Sequence, residues 1–395
     1  LMPTTRGWAA LGAGVALIVL WVVFGERLML GVGLFLVMTI GSGVAYVRST
    51  VPSVAVSRRV TPFQVHDGDR AIVELTLSTG RRIPQAIVLD EVSGLGTARF
   101  VADRVEPHNP MIARYEVLCR PRGVYTVGPA IVQVRDPLAL CEAGGTAGKV
   151  DRLVVYPAVE DLDGLPLGRG HDPNVNTSRA SFSQTGGEDF FTLREYQQGD
   201  DLRRVHWPSS AKRGELMIRQ LEMPWQSRAL VLLDPRQTAY PDAEAFEHAV
   251  RGVASAFRHL FRNGYTPTLW IGNGSGTVVG SSEGYGIAME ELAAVRPAPV
   301  LDLKTALARL RRTGVAGGVL VLVTGVPDDP VLGMYRTLGN DFYRTIVMSS
   351  GSESDDALVQ FARAGATTVL SQSPEHWASA WKQGMERAWS TATAG

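Results

Sequence analysis

The amino-terminal fifty residues contain two uncharged apolar runs, residues 8–24 and 28–47, separated by the polar tripeptide GER. Each run is about as long as a helix needs to cross the hydrocarbon core of a bilayer. Because the break is so short, the pattern predicts a transmembrane helical hairpin over residues 1–50. The small residues that let its helices approach closely are expected to be Gly31, Gly33, Gly41, Ser42 and Gly43. A cleaved signal peptide is the alternative, and the second run that follows at once disfavours it.

The charges that flank these runs predict an orientation. Arg6 precedes the first run, and Arg48, Arg58 and Arg59 follow the second, whereas the break carries one charge of each sign. Since cytoplasmic flanks are enriched in Arg and Lys, we expect a multi-pass protein of the cytoplasmic (inner) membrane, in contact with membrane lipid. Both termini and the soluble domains are expected in the cytoplasm.

Residues 51–160 show short runs in which apolar and polar positions alternate, broken by Gly, Pro, Asp and Asn. The runs are AIVELTLST, QAIVLDEVS, ARYEVLCR, AIVQVR and RLVVYP. A period of two with such punctuation predicts antiparallel strands. The segment is therefore expected to form an all-β, β-sandwich-like domain.

Residues 227–395 alternate between nearly continuous apolar runs and amphipathic segments. This alternation predicts a doubly wound α/β domain, with a parallel sheet covered on both faces. One segment has an apolar stripe at helical spacing from Phe246 to Phe261 and is expected to end near Gly264. The last segment carries large side chains at successive i+4 positions, namely Trp377, Trp381, Met385 and Trp389. Such a stripe favours a buried core face over a partner-docking face.

Composition narrows the range of functions. The 395 residues include 39 basic and 39 acidic side chains without a long basic run, which argues against a nucleic-acid partner. Two cysteines, Cys119 and Cys141, are too few for a disulfide framework or a zinc site, and the seven histidines are scattered. The sequence contains no G-x-x-x-x-G-K-[ST] motif to bind the phosphates of ATP. We therefore expect no metal and no cofactor.

Residues 161–226 form a linker rich in Gly, Ser, Asn and Pro, followed by a dense run of charges that begins LREYQQGDDLRRVHW. Basic and acidic side chains nearly balance there, which favours mutual ion pairing at a structural junction. A small-anion sensor or an enzyme is the alternative. For catalysis, the candidate nucleophiles are Ser209 and Ser210 near His206, without a G-x-S-x-G elbow.

The run LREYQQGDDLRRVHWPSSAKRGELMIRQLE resembles the signature of the domain-of-unknown-function 58 family, an L-R-x-Y-x-x-G-D-D-x-R-x-I-x-W core followed by an A-R-x-G-x-L turn. Upstream, RGVYTVGPAIVQVRDPLAL is similar to the family's R-G-x-Y-x-x-G-P segment ending in D-P-x-G-L, with Ala139 in place of the Gly. The signature residues are Arg194, Tyr196, Gly199, Asp200, Asp201, Arg203, Arg204, His206, Trp207, Arg213 and Gly214.

The resemblance implies that residues 227–395 form a von Willebrand factor A-like domain. In that fold a metal is held by D-x-S-x-S, a later Thr and an Asp after the fourth strand, all hard oxygen ligands. Here Asp234 and Thr238 match, but Arg236 replaces the first Ser and Thr324 stands where an Asp is expected. The site is therefore degenerate, and we expect Arg236 to pair with Asp234 in the cation's place. Because ligands of open α/β sheets bind at strand ends, this region is also the expected partner contact.

The resemblance further implies a MoxR-type AAA+ ATPase as partner, which would supply the ATP chemistry that the chain lacks. We therefore expect a membrane-anchored, non-enzymatic adaptor or scaffold in protein-complex assembly or cell-envelope maintenance. The alternative is a small-anion sensor or enzyme centred on the charged segment from Arg194 to Arg219. Envelope-facing adhesion would need the opposite topology and a working metal site, and both are argued against above.

Overall fold

The computed structural model describes residues 2–107, 109–164, 191–196, 205–221, 228–272, 277–278, 282–312, 314, 316–351 and 355–393. The chain divides into two compact units, residues 1–158 and 159–395. The first unit holds two long helices and strands that pair antiparallel except for Gln64–His66 with Asp151–Tyr156, and the second alternates strands with helices.

Two long helices lie near the start of the first unit, α1 (Thr5–Phe24) and α2 (Arg27–Thr50). Both are long and apolar enough to cross a membrane, and they contain the two apolar runs. The helices approach closely at Gly33, where a Cβ would lie 2.9 Å from the carbonyl oxygen of Gly14. Gly31 and Gly41 were expected to do the same, but a Cβ at either position would meet nothing within 4 Å. That expectation was wrong because both glycines lie off the face of α2 that contacts α1.

The strands of the first unit form two sheets. They are β1 (Met2–Pro3), β2 (Val54–Thr61), β3 (Gln64–His66), β4 (Arg70–Thr79), β5 (Ile83–Val92), β6 (Gly96–Val105), β7 (Met111–Leu118), β8 (Gly123–Val127), β9 (Ala130–Arg135), β10 (Cys141–Ala147) and β11 (Asp151–Tyr156). The larger sheet has the order β1-β10-β9-β5-β8-β11-β3, with β6 paired to β5, and the smaller sheet has the order β2-β4-β7. Leu75 and Leu77 of the smaller sheet share a buried cluster with Val88 and Val132 of the larger one. Apolar alternation along the strands thus builds a core between two sheets.

One arginine is enclosed between these sheets. The guanidinium of Arg58 on β2 forms an ion pair with Asp90 of β5 and lies 3.0 Å from Asp151 of β11. The hydroxyl of Tyr115 on β7 donates to Asp90 at 2.6 Å. The Arg58 and Asp90 side chains are only 2% and 0% exposed. Burial by itself lowers the pKa of Arg58, but its bonds to the two aspartates raise that pKa on balance, so the group stays charged.

The second unit contains a small antiparallel sheet of β12 (Phe191–Glu195) and β13 (Met217–Leu221), with α3 (Trp207–Arg213) between them in the chain. The larger sheet consists of β14 (Arg228–Leu233), β15 (Thr266–Trp270), β16 (Thr277–Val278), β17 (Val319–Thr324), β18 (Arg344–Ser349) and β19 (Thr367–Leu370). Its order is β16-β15-β14-β17-β18-β19. All neighbours pair in parallel except β16, which runs antiparallel to β15.

Six further helices accompany this sheet in the described part of the unit: α4 (Ala243–Arg262), α5 (Ser282–Ala294), α6 (Leu303–Arg312), α7 (Asp329–Leu338), α8 (Asp355–Arg363) and α9 (Trp377–Thr393). Leu230 and Leu232 of β14 join a core cluster with residues of α6, α7 and α8. Val231 and Leu233 are also fully buried and point to the opposite face, because successive strand residues alternate. The central strand is therefore covered on both faces. Trp377 and Trp381 of α9 are buried too, whereas the side chain of Trp389 lies outside the described residues.

Candidate functional site at the strand ends

The site lies in the middle of the larger sheet. From β14, the next strands of the chain, β15 and β16, extend to one side, and β17, β18 and β19 extend to the other. Strand β14 and the later strand β17 are parallel neighbours, and Leu233 is in register with Val323. The amide of Asp234 continues this pairing by donating to the Val323 carbonyl oxygen at 2.9 Å. Asp234 and Thr324 therefore meet at the carboxyl edge of the sheet, at a topological switch point where open α/β folds bind ligands.

Arg236 lies directly against Asp234. Its Nε donates to Asp234 Oδ1 at 3.0 Å, and its Nη2 donates to Asp234 Oδ2 at 2.8 Å, so the contact is bidentate. The hydroxyl of Thr324 donates to Asp234 Oδ2 at 2.9 Å. Asp234 is fully buried and Arg236 is 8% exposed. The ion pair that the two-residue spacing suggests is thus present, and it is desolvated.

A second carboxylate, from Asp328, completes the cluster. Arg236 Nη1 lies 2.8 Å from Asp328 Oδ2, and Arg236 Nη2 lies 3.0 Å from Asp328 Oδ1. Asp328 is also the N-cap of α7, since its side chain accepts a bond from the Val331 amide at 3.0 Å. The Asp328 side chain is 40% exposed. The cluster therefore has a buried inner carboxylate, a buried guanidinium and an outer carboxylate in contact with solvent.

Sequence reasoning missed Asp328 and Tyr240. The Tyr240 hydroxyl donates to the main-chain oxygen of Asp234 at 2.5 Å and holds the loop after β14 over the cluster. Gly325 leaves room for this loop, because a Cβ there would lie 2.0 Å from the Ala239 carbonyl oxygen. The only available signal for Asp328 was an aspartate followed closely by Pro330 at a helix start, which is typical of an N-cap and does not indicate an ion pair.

Hydrogen bonds between the groups of this cluster stabilise their charged forms. Burial by itself lowers the pKa of Arg236, but its hydrogen bonds to Asp234 and Asp328 raise it on balance. Burial likewise raises the pKa of Asp328, but the bonds from Arg236 and the Val331 amide lower it overall. Burial, reinforced by the charge of Asp234, raises the pKa of Tyr240 well above its ordinary value. At neutral pH these groups are therefore a cation, an anion and a neutral phenol.

A divalent cation does not fit these residues. Asp234, Thr324 and Asp328 offer oxygen atoms of the kind that Mg²⁺ prefers. However, the Arg236 guanidinium already lies between the two carboxylates and supplies the positive charge. In the described part of the chain, no group of three or more His, Cys, Asp or Glu is placed to hold a metal ion. Thr238, the other matching position, lies in the 3-10 turn Gln237–Ala239 and is exposed.

The charged segment is described only in part. Gly199, Asp200, Asp201, Arg203 and Arg204 lie outside the described residues, and so does the predicted mutual pairing of their charges. The remaining signature residues occupy the small sheet and the helix beside it: Arg194 pairs through its backbone with Ile218, Tyr196 donates its amide to Leu216 at 2.8 Å, and Trp207 and Arg213 are the first and last residues of α3.

Helix α3 was not predicted, since the family signature indicates only an A-R-x-G-x-L turn in this stretch. Gly214 does end the element, in the left-handed region at φ 76°. His206 Nδ1 lies 2.8 Å from Ser209 Oγ, a local contact three residues apart. Ser210 Oγ donates to the His206 carbonyl oxygen at 3.0 Å and accepts from the Met217 amide at 2.9 Å. Ser210 thus ties α3 to β13. Trp207 is 68% exposed.

A family model matches this part of the chain. The family described as "Protein of unknown function DUF58" covers residues 192–349. That range contains the small sheet except Phe191, helix α3 and both strand ends of the Arg236 cluster. A distant relative is the "Uncharacterized protein YeaD" of Bacillus subtilis, which is 29% identical over 217 residues. The match covers 53% of each chain, so the chain spans about half the length of this curated relative.

Two solved structures that resemble this chain each match about a quarter of it. The CARDB domain of a Pyrococcus furiosus protein is 16% identical and covers 27% of this chain and 94% of its own, with a TM-score of 0.21. The sporulation control protein Spo0M of Bacillus subtilis is 11% identical and covers 26% of this chain and 49% of its own, with a TM-score of 0.16.

Proposed function

We propose that the protein is a membrane-anchored, non-enzymatic adaptor. Its α/β unit is a degenerate von Willebrand factor A-like domain that presents its carboxyl edge to a MoxR-type AAA+ ATPase. The observation that carries the proposal is the cluster of Arg236 with Asp234 and Asp328, in which an arginine fills the position of a metal at the switch point. The process served is protein-complex assembly or cell-envelope maintenance.

The domain assignment has support from the sheet. The strand order places the first and fourth strands of the domain, β14 and β17, side by side, with a short antiparallel strand, β16, at one edge. This is the order of doubly wound folds that bind ligands at the switch point. Arg236 satisfies the buried Asp234 permanently, so the edge is ready to bind a protein without first binding an ion.

The membrane assignment has separate support. Helices α1 and α2 have the length and composition of membrane spans. Arg6 and Arg48 lie at the ends of these helices away from the connecting turn, which favours both termini and both soluble parts in the cytoplasm. A cytoplasmic adaptor would meet the ATPase in the compartment that contains ATP.

The test is binding of the full-length protein in nanodiscs to the MoxR-type ATPases of the source organism, with ATP or ADP present. Thr238→Arg places a large cation on the exposed turn next to the cluster. Thr337→Arg makes the same substitution at an exposed position of α7, in its last turn and away from the strand ends. We expect wild type and Thr337→Arg to bind alike, and Thr238→Arg to bind at least about tenfold more weakly, as for a contact residue in an interface.

Two results would contradict the proposal. Wild-type protein that binds none of these ATPases under either nucleotide would remove the adaptor function and favour the anion sensor or enzyme centred on the charged segment. Equal weakening by Thr238→Arg and Thr337→Arg, with both variants folded by circular dichroism, would show that the strand ends are not the contact.

A further inference from the structure

The turn between β9 and β10 presents a leucine on a rigid frame. Leu138 is 61% exposed. The carboxylate of Asp136, which is only 4% exposed, accepts bonds from the amides of Leu138 at 3.0 Å and Cys141 at 2.5 Å. Ala139 follows in the left-handed region at φ 55°, and its amide donates to the Asp136 carbonyl oxygen at 2.9 Å. A large apolar side chain is thus exposed on a turn that these three hydrogen bonds hold in place.

The same turn is fastened to the base of the helical hairpin. The amide of Thr4 donates to the Leu140 carbonyl oxygen at 2.8 Å. On α1, a Cβ at Gly7 would lie 2.0 Å from that Leu140 oxygen, and on α2 a Cβ at Gly43 would lie 3.2 Å from Cys141 Sγ. Gly7 requires glycine because the two backbones nearly touch there, whereas at Gly43 a Cβ would press on the side chains of Cys141 and Asp136. The turn is therefore level with Gly7 on one helix and with Gly43 on the other.

The part of the hairpin between this turn and the hairpin tip is shorter than the hydrocarbon core of a bilayer. At 1.5 Å per residue, the stretch from Gly7 to Phe24 and the stretch from Gly43 back to Arg27 each rise about 25 Å. The hydrocarbon core of a typical bilayer is about 30 Å thick. A hairpin that crosses this core cannot leave the β9–β10 turn clear of the membrane surface. Trp8, which lies one residue above Gly7 and is 59% exposed, is at the depth where interfacial tryptophans sit.

We infer that the β9–β10 turn enters the bilayer interface and that Leu138 contacts lipid at the boundary of headgroups and acyl chains. The inference rests on the membrane anchoring in the proposed function and adds that the β sandwich sits directly on the membrane instead of hanging from a linker. Leu138 then contributes apolar burial in lipid, and the mismatch between hairpin and bilayer is reduced.

The test uses single cysteines labelled with an environment-sensitive fluorophore in the full-length protein, reconstituted in vesicles with and without doxyl-quencher lipids. Leu138→Cys probes the turn, and Phe35→Cys probes the middle of α2, where the native side chain is 68% exposed. Leu118→Cys is the matched control. Leu118 is 58% exposed and pairs with Arg70, at one end of β4. The other end of β4, at Thr79, pairs with Val54, the first residue of β2, which follows closely after α2. The control therefore lies about 30 Å from the hairpin base along β4.

The native cysteines, Cys119 and Cys141, are both buried, and unsubstituted protein labelled in parallel corrects for them. We expect shallow quenchers to reduce the Leu138→Cys signal at least about twofold more than the Leu118→Cys signal, since interfacial side chains lie roughly 5–10 Å into the boundary. If the label at Phe35→Cys is quenched but the labels at Leu138→Cys and Leu118→Cys are quenched equally, this inference is overturned and the membrane anchor is not. Absence of quenching at Phe35→Cys would overturn the anchor and this inference together.

Discussion

Each unit of the chain holds one arginine between two aspartates, and the two clusters have nearly the same composition. In the β unit, Arg58 contacts a fully buried Asp90 and an Asp151 whose side chain is 39% exposed. In the α/β unit, Arg236 contacts a fully buried Asp234 and an Asp328 whose side chain is 40% exposed. A tyrosine hydroxyl also donates to the inner aspartate in both clusters, to the carboxylate of Asp90 in the first and to the main-chain oxygen of Asp234 in the second.

The two clusters differ in what they connect. Arg58, on the smaller sheet, also donates to the carbonyl oxygens of Val127 and Lys149, at 2.9 and 2.8 Å. Its bonds to Asp90, Val127 and Asp151 therefore connect the smaller sheet to strands β5, β8 and β11 of the larger sheet. Arg236 donates its side-chain bonds to carboxylates at one edge of a single sheet. The same ion chemistry therefore holds two layers together in one unit and fills a strand-end site in the other. Removing the Arg58 cluster should lower the stability of the β unit, and removing the Arg236 cluster should alter the strand-end site.

The largest expected effect is that of Asp90→Ala. The substitution leaves the buried Arg58 without its inner partner, and removal of one member of a buried pair costs about 3–5 kcal/mol. We expect this loss in the unfolding free energy of residues 1–158, measured by hydrogen exchange of the full-length protein in detergent. The control is Glu74→Ala, which breaks the exposed pair with Arg114 and should cost less than about 1 kcal/mol. Equal losses in the two variants would show that Arg58 does not hold the sheets together.

A smaller effect is expected for Arg236→Ala, about 2–3 kcal/mol, because solvent at the sheet edge can reach the Asp234 carboxylate once the arginine is removed. Loss of exchange protection should be confined to the second unit, strongest at β14 and β17. Loss of protection in the β strands of residues 54–156 as well would contradict the distinction drawn between the clusters.

Arg236→Ser should convert the strand end into a cation site. Asp234, Thr324 and Asp328 would face the vacated volume with oxygen atoms only, which favours Mg²⁺. At ten times its dissociation constant, a bound ion stabilises by about 1.4 kcal/mol, so the melting temperature of this variant should rise with Mg²⁺ and fall with EDTA. Wild type should show neither change, and the double variant Arg236→Ser, Asp234→Ala is the control for non-specific binding. Calorimetric Mg²⁺ binding by wild type would refute the idea that Arg236 replaces the ion.

The smallest effect is expected for Asp328→Asn, at most about 1 kcal/mol at neutral pH because the outer carboxylate is part-exposed and screened by solvent. Burial opposes the shift, but Arg236 lowers the folded-state pKa of Asp328 below its ordinary value of 3.8. Its stabilisation is therefore present above pH 3.8 and is lost as the pH falls through the folded-state value. Urea midpoints of wild type and variant should differ at pH 7, and the difference should shrink as the pH is lowered below 3.8. Asp329→Asn, which removes an exposed neighbouring charge, should not reproduce this pattern.

The candidate site was partly accessible to sequence reasoning. The Asp234 and Arg236 pair follows from two residues at the end of an apolar strand, because a separation of two positions fixes their proximity. Asp328 could not be found in this way, since it is 92 positions from Arg236 and reaches it only because β17 lies next to β14 and α7 starts beside that strand end. The pairing of Arg58 with Asp90, 32 positions apart across two sheets, has the same origin.

The sequence by itself determined the elements whose signal is periodic and local. The length of the uninterrupted apolar runs specified α1 and α2, and alternation of apolar and polar residues specified the strands of the sandwich. Apolar runs that alternate with amphipathic segments specified the α/β unit. These signals exist because the buried face of a helix or strand requires apolar side chains at the period of that element. Only the tertiary structure decided how β1 joins β10, which turn meets the hairpin at Gly7 and Gly43, and which carboxylates surround each arginine. These depend on strand order and register, which bring together groups that no local period relates.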